Sequence, residues 1–188
     1  AAAEIERRLS EEGRALAVLD GPCGSGKSTL ADALAALYHT QPIRMDDFFL
    51  PPAMRTEQRL TQPGGNVHYE RFREEVLAGL MRGGDVAYRR YDCQSGAWLD
   101  RVHRAAPVTV IEGSYSHHPA FAEAYGALDA LRIFVHTAEE ERMERLRARE
   151  GERFFTFETR WIPLEKSYLE AYDIKSGADI ALESQPWA

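Results

Sequence analysis

Ala15-Leu16-Ala17-Val18-Leu19-Asp20-Gly21-Pro22-Cys23-Gly24-Ser25-Gly26-Lys27-Ser28-Thr29 decides the reading of this chain. Its first five residues are an apolar run of strand length, and a glycine-rich turn follows. Gly21 to Ser28 matches the pattern G-x-x-x-x-G-K-[ST] in full. Ser28 to Tyr38 then reads as a helix, with Leu30, Leu34 and Leu37 at i, i+4 and i+7 on one predicted face. A strand before the motif and a helix after it are the context the motif requires. Glycines let backbone N–H groups turn inward around an oxyanion, and the helix N-terminus adds partial positive charge. Gly21, Cys23, Gly24, Ser25, Gly26, Lys27, Ser28 and Thr29 are therefore the candidate phosphate cradle. Lys27 would bridge the β- and γ-phosphates, and the Ser28 hydroxyl would ligate Mg²⁺. Cys23 is read as a small filler whose backbone does the work. The chain holds 23 Lys plus Arg, and only three are lysines (Lys27, Lys166 and Lys175), so a lysine at the motif position is informative.

Outward from the loop, helical and strand patterns alternate. Glu4 to Glu12 reads as a short helix ending at Gly13, and Ile43 to Met45 as a second strand. Phe48 to Asn66 is an excursion rich in Pro and Gly with little regular structure expected. Tyr69 to Met81 is a predicted helix with Phe72, Val76 and Leu80 in register. Val86 to Trp98 reads as a hairpin turning at Ser95-Gly96. Val108 to Ile111 and Leu131 to Val135 are β-branched runs of the kind buried in parallel sheets. Thr137 and Glu140 form a predicted capping box for a helix to about Arg149. A last helix, about Phe157 to Tyr172, precedes a final strand, Ala178 to Leu182. The alternation implies an α/β fold with a mostly parallel sheet, whose ligands bind at the carboxyl ends of the strands. Four such ends carry polar or glycine residues: Asp20-Gly21, Asp46-Asp47, Glu112-Gly113 and His136-Thr137.

Composition narrows the classes. The chain has 188 residues, which fits one domain over 1–188. Its net charge of −7 disfavours a general nucleic-acid binder, so any anion must be held by a local site. Two cysteines without a C-x-x-C pair fit a reducing compartment, and a cytoplasmic location is expected. The N-terminus lacks the order of a signal peptide, and no run is long enough to span a membrane. The pattern His117-His118 lacks the partners of a zinc site and reads as loop.

The acidic strand ends carry the expected chemistry. Glu112 is placed to help hold the metal. A carboxylate at Asp46 or Asp47 would face the γ-phosphate and accept a proton from an acceptor hydroxyl. Neighbouring side chains diverge, so one of the two faces the cleft. Arg142, Arg145 and Arg149 share a helix face and, with Arg147 and Arg153 nearby, suggest a lid at about 145–160. Tyr91-Asp92 would wall the acceptor pocket, and Trp98 offers a flat ring for stacking. A GTPase switch is disfavoured because neither N/T-K-x-D nor D-x-x-G occurs. An inactive nucleotide-binding module is the remaining alternative.

Together these residues resemble the uridine kinase family of P-loop small-molecule kinases, relatives of pantothenate kinase and phosphoribulokinase, over roughly Leu16 to Leu182. Asp46-Asp47-Phe48-Phe49 is similar to the family's Asp-Ser-Phe-Tyr, which implies Asp46 as catalytic base. Ile111-Glu112-Gly113 resembles the Glu-Gly strand end that helps hold magnesium. Tyr91-Asp92 looks like the acceptor-site Tyr-Asp, and Arg142-Met143, Arg145 and Arg149-Glu150 resemble the lid helix. Ala178-Asp179-Ile180 is similar to the strand beside the nucleotide base. The resemblance implies a three-layer P-loop kinase fold with an arginine-rich lid. It also implies ATP and Mg²⁺ as cofactors, and transfer of the γ-phosphoryl group to a small-molecule hydroxyl, with a nucleoside such as uridine leading. Asn66-Val67-His68 departs from it, because the family has a ribose-binding Asp where this chain has His68. The stretch after Arg149 is also shorter. The site residues implied are Asp46, Lys27 and Arg149 for catalysis, Arg145 and Arg149 beside the phosphate loop, and Asp46, His68 and Tyr91 for the acceptor. Ser28 and Glu112 are implied for the metal. A non-nucleoside alcohol as acceptor, and a homo-oligomer, stay open.

Overall fold

A computed structural model describes residues 1–184. The strands in chain order are β1 (Ala15–Asp20), β2 (Ile43–Arg44), β3 (Val86–Tyr91), β4 (Trp98–His103), β5 (Val108–Glu112), β6 (Leu131–His136) and β7 (Ile180–Glu183). Five of them form a fully parallel sheet in the order β2-β5-β1-β6-β7, and β3 and β4 form a separate antiparallel hairpin. The helices are α1 (Ala2–Glu12), α2 (Lys27–Leu37), α3 (Glu57–Leu60), α4 (Tyr69–Phe72), α5 (Ala78–Arg82), α6 (Ala122–Ala127), α7 (Glu139–Glu150), α8 (Phe154–Thr156) and α9 (Ile162–Ala171).

Strand periodicity explains the three layers. β1 is buried along its whole length, and alternate residues point to opposite faces. Leu16 and Val18 join a core with Ile111 and Phe134. Phe72, Val76, Phe121 and Tyr168 pack into that core from α4, the turn after it, the segment before α6, and α9. Ala15, Ala17 and Leu19 join the opposite core, where α1 supplies Ile5 and α2 supplies Ala31 and Leu34. The register pairs Arg44 and Leu19 with Glu112, Asp20 with Phe134, and His136 with Glu183. All four polar strand ends named from the sequence therefore leave the sheet at its carboxyl end.

Several local expectations change. Leu37 is 58% exposed, because the buried face of α2 runs through Lys27, Ala31, Leu34 and Ala35. The predicted helix from Tyr69 is real, but α4 continues into α5 through a π turn at Arg73–Leu77. The 48–66 excursion contains short helical turns at Pro52–Met54 and α3. The hairpin extends to His103 and turns over 92–97. The capping box at α7 does not form. Its N-cap is Ala138, one residue later, and the Thr137 hydroxyl donates to Glu141 Oε2 at 2.9 Å. The final strand starts at Ile180.

Candidate active site

Asp20, at the end of β1, is fully buried. Its carboxylate accepts Gly21 N–H at 2.6 Å, His117 N–H at 2.8 Å and the Tyr168 hydroxyl at 2.7 Å. A buried carboxylate requires such donors. Here they come from three segments, so Asp20 sets where the phosphate loop starts relative to the β5 exit and α9. Gly21 then turns with φ +142, and a Cβ there would lie 2.0 Å from the Val135 carbonyl oxygen. Only glycine passes. The loop ends at Gly26, in the left-handed region, and α2 begins at Lys27 without a side-chain cap. Its first N–H groups therefore belong to the loop. Lys27 is 6% exposed, and its ammonium donates to Gly21 O at 2.6 Å and Pro22 O at 2.9 Å.

This loop floors a cavity of about 740 Å³. Ser28 donates its hydroxyl to Glu112 Oε2 at 3.2 Å. Glu112 is 4% exposed and also pairs with Arg44. Burial pushes its carboxyl upward, against the pull of Arg44. Gly113, with φ +138, lets the β5 exit pass Met45, because a Cβ would lie 2.7 Å from Met45 Cβ. That close approach brings Glu112 toward the turn at Met45–Phe48.

The turn separates the paired aspartates. Asp46 lines the cavity. Asp46 is exposed to the cleft, and the protein around the cleft raises its carboxyl above the usual carboxylate range by desolvation. Neighbouring Asp47 adds to the rise, whereas Lys27, Arg44 and Arg149 oppose it. Asp47 points away. It accepts the Tyr88 hydroxyl at 3.3 Å and lies 3.4 Å from Arg90 Nε.

Arg145, Arg149 and Arg153 also line the cavity, as do Phe157 and Trp161. Arg145 hydrogen-bonds Ser184 Oγ at 3.1 Å and pairs with Glu141. Arg149 pairs with Glu150 at 2.7 Å. Arg142, on the same predicted helix face, is buried instead beneath the loop, with Nη1 donating to Cys23 O at 3.3 Å. Arg147 faces Glu158 and Phe154, outside the cavity lining.

Two predicted acceptor residues are not in this wall. His68 is the N-cap of α4, and its Nδ1 accepts Arg71 N–H at 3.3 Å. Tyr91 is buried in the hairpin against Trp98, with ring centroids 5.0 Å apart. Neither lines the cavity, because the cap and the hairpin packing use these side chains. His117 and His118 make contacts within the fold. His117 Nε2 lies 3.0 Å from Val18 O, and His118 stacks on Tyr69. Burial lowers His118 to about 4.

Sequence reasoning missed Glu165, Ser114 and Arg71. Glu165 and Tyr168 lie at i and i+3 on α9, so both can face β1 and the loop; that spacing was the available signal. Arg71 had none. It is buried, lies over the Phe48 ring at 4.2 Å, and donates to Asp47 O at 2.9 Å and to Arg89 O. It thus ties the Asp46 turn to the hairpin. Arg71→Met should cost about 1–3 kcal/mol by stranding those buried carbonyls. It should also lower kcat more than it raises the KM for ATP, since the phosphate loop is untouched. Thermal melts and steady-state kinetics check both; an unchanged kcat would separate Arg71 from the Asp46 turn.

Solved structures share this architecture. A possible uridine kinase from Bacillus stearothermophilus matches with TM-score 0.67 and 17% identity, over 95% of this chain and 99% of its own. A candidate fructose transport system kinase from Silicibacter sp. TM1040 gives 0.65 and 22%, over 96% and 98%. A candidate P-loop-containing kinase with a circular permutation, from Saccharomyces cerevisiae, gives 0.74 and 12%, over 98% of each chain. This chain has a P-loop kinase fold. No protein-family model and no curated protein sequence matches it. Among the described residues, no helix is long and apolar enough to cross a membrane.

Proposed function

We propose that this protein transfers the γ-phosphoryl group of Mg-ATP to a hydroxyl of a small molecule in the cytoplasm. The supporting observation is that one cavity collects Lys27 and Ser28 from the start of α2, Glu112 from the end of β5 and Asp46 from the turn after β2, with Ser28 bonded to Glu112. The loop N–H groups and Lys27 hold the phosphates. The buried Glu112 carboxylate and the Ser28 hydroxyl form an oxygen set suited to Mg²⁺, which they would hold beside the loop. Mg²⁺ held by these two residues would supply charge neutralisation to the phosphates.

Asp46 accepts the proton of the acceptor hydroxyl as that oxygen forms its bond to the γ-phosphorus. The bond from phosphorus to the β–γ bridging oxygen breaks, and ADP leaves with that electron pair. Asp46 then returns the proton to solvent. A carboxyl raised above its ordinary range is a better base than a normal aspartate once ionised. Arg145 and Arg149, with Arg153 beyond them, close over the transferring group as a lid and stabilise its charge.

The acceptor is a small alcohol; a nucleoside such as uridine fits the resemblance. The position of His68 bears on it. Ribose held by an aspartate at that position would need the side chain in the cavity, whereas His68 caps α4. Aspartate is a good N-cap. His68→Asp should therefore keep the fold and leave kcat/KM for uridine within about twofold, because a neutral cap exchange adds no ligand contact. An increase of tenfold or more would instead place His68 at the ribose. ADP formation with Mg-ATP and a panel of nucleosides, sugars and other alcohols tests the whole reading. Acceptor-dependent ADP supports it, acceptor-independent turnover points to a hydrolase switch, and binding without turnover to an inactive module.

A further inference from the structure

The phosphate loop carries a carboxylate of its own chain. Glu165, on α9, is 4% exposed, and both of its oxygens accept Cys23 N–H at 2.8 Å. Ser114, just past β5, donates its hydroxyl to Glu165 Oε2 at 2.6 Å. The Arg142 guanidinium stands 3.9 Å from Oε1. One turn along α9, Tyr168 bonds Asp20, so the helix is fixed to both ends of the loop's first turn. Glu165 and Cys23 both line the cavity.

The chemistry of that contact is the chemistry of a bound phosphate. A loop N–H, a hydroxyl and a guanidinium converge on two anionic oxygens. Cys23 lies at the β1 end of the loop. The α2 N-terminus, at the other end, is the part of such a loop that takes the α- and β-phosphates. The motif's lysine reaches the β- and γ-phosphates, and the Lys27 ammonium lies on Gly21 O and Pro22 O, so the neighbouring Cys23 N–H belongs to the end of the loop that a terminal phosphate would approach.

Resting on the kinase reading above, we propose that Glu165 is an internal ligand of the phosphate loop that competes with the terminal phosphate of a bound nucleoside triphosphate. It thereby narrows the loop's preference for triphosphate over diphosphate. A carboxylate and a phosphate cannot share the Cys23 N–H without like-charge repulsion, so a triphosphate meets an opposing term that a diphosphate escapes. A glutamine keeps the shape and one acceptor oxygen but removes the charge, which weakens the internal contact.

The test compares wild type with Glu165→Gln by calorimetric titration of Mg-ATP and Mg-ADP, with circular dichroism and a thermal melt to verify the fold. The variant should bind Mg-ATP about tenfold more tightly, the scale of one charge-assisted hydrogen bond, and Mg-ADP within about twofold of wild type. A merely structural Glu165 would give unchanged or weaker ATP binding in the folded variant, and that result overturns the proposal. If Glu165→Gln fails to fold, Ser114→Ala removes one donor to the carboxylate and should tighten ATP binding about twofold to threefold; no change there also overturns it. Tight ATP binding that is equal in both proteins sinks only the competition. No ATP binding by either protein sinks the kinase reading and the competition together.

Discussion

Lys27→Ala should lower phosphoryl transfer by roughly 10³-fold or more while the protein stays folded. The ammonium is nearly buried and is held by two carbonyls of its own loop, Gly21 O and Pro22 O. Those bonds are to backbone oxygens at the mouth of the loop, so the side chain already sits where a phosphate would draw it. Its charge can follow the γ-phosphoryl group as negative charge shifts to the leaving oxygen. Losing it removes an interaction that strengthens in the transition state, so the loss falls on kcat as well as on ATP binding. The alanine leaves a small gap at the α2 N-terminus, and the core on that face rests on Ala31 and Leu34 instead. Single-turnover rates with circular dichroism on the same sample decide the matter. Near-normal kcat in the folded variant would remove the loop from the chemistry.

Asp46→Asn should lower kcat by roughly 10²–10⁴-fold, the usual contribution of a positioned base, and leave Mg-ATP binding intact. Asp47→Asn should cost at most about tenfold, since Asp47 faces Tyr88 and Arg90 rather than the cavity. The sign of the pH dependence follows from the raised carboxyl of Asp46. Transfer needs the ionised base, which is present above its pKa and lost as pH falls through it. The acid limb of kcat/KM should therefore lie above that of an ordinary aspartate and should vanish in Asp46→Asn. If Asp47→Asn is the more damaging variant, the base is the neighbouring residue and the turn geometry has been misassigned.

Much of this molecule was legible in the chain because the relevant physics is local. The phosphate loop uses consecutive backbone N–H groups, so its spacing is written in consecutive residues. The apolar runs at Val108–Ile111 and Leu131–Val135 are buried apart from Arg132, and such runs need no partner to be recognised. That Asp46 and Glu112 would line one cavity was legible because a strand end in a parallel sheet is a place as well as a residue. Patterning limits one of the Asp46-Asp47 pair to the cleft, and the resemblance points to Asp46, but neither supplies the geometry that separates them. The turn at Met45–Phe48 sets that geometry, and Arg71, 24 residues away from Asp47, holds it.

The rest depended on how helices rotate onto the sheet. Arg142 and Arg145 share a helix face in projection, yet packing of α7 on the loop buries the first and leaves the second on the cavity. His68 has the right address for an acceptor contact but spends its ring nitrogen on a helix cap. Tyr91 is taken by the hairpin core in the same way. Glu165 reaches the Cys23 N–H across 142 residues of chain, and no spacing rule connects them. Local backbone chemistry follows from neighbours along the chain, so residues alone specify the phosphate loop and the strand ends. The walls of the cavity are made by side chains from distant segments, and the packing of α7 on the loop, of α9 on the core and of the Met45–Phe48 turn on the hairpin selects which of them face inward.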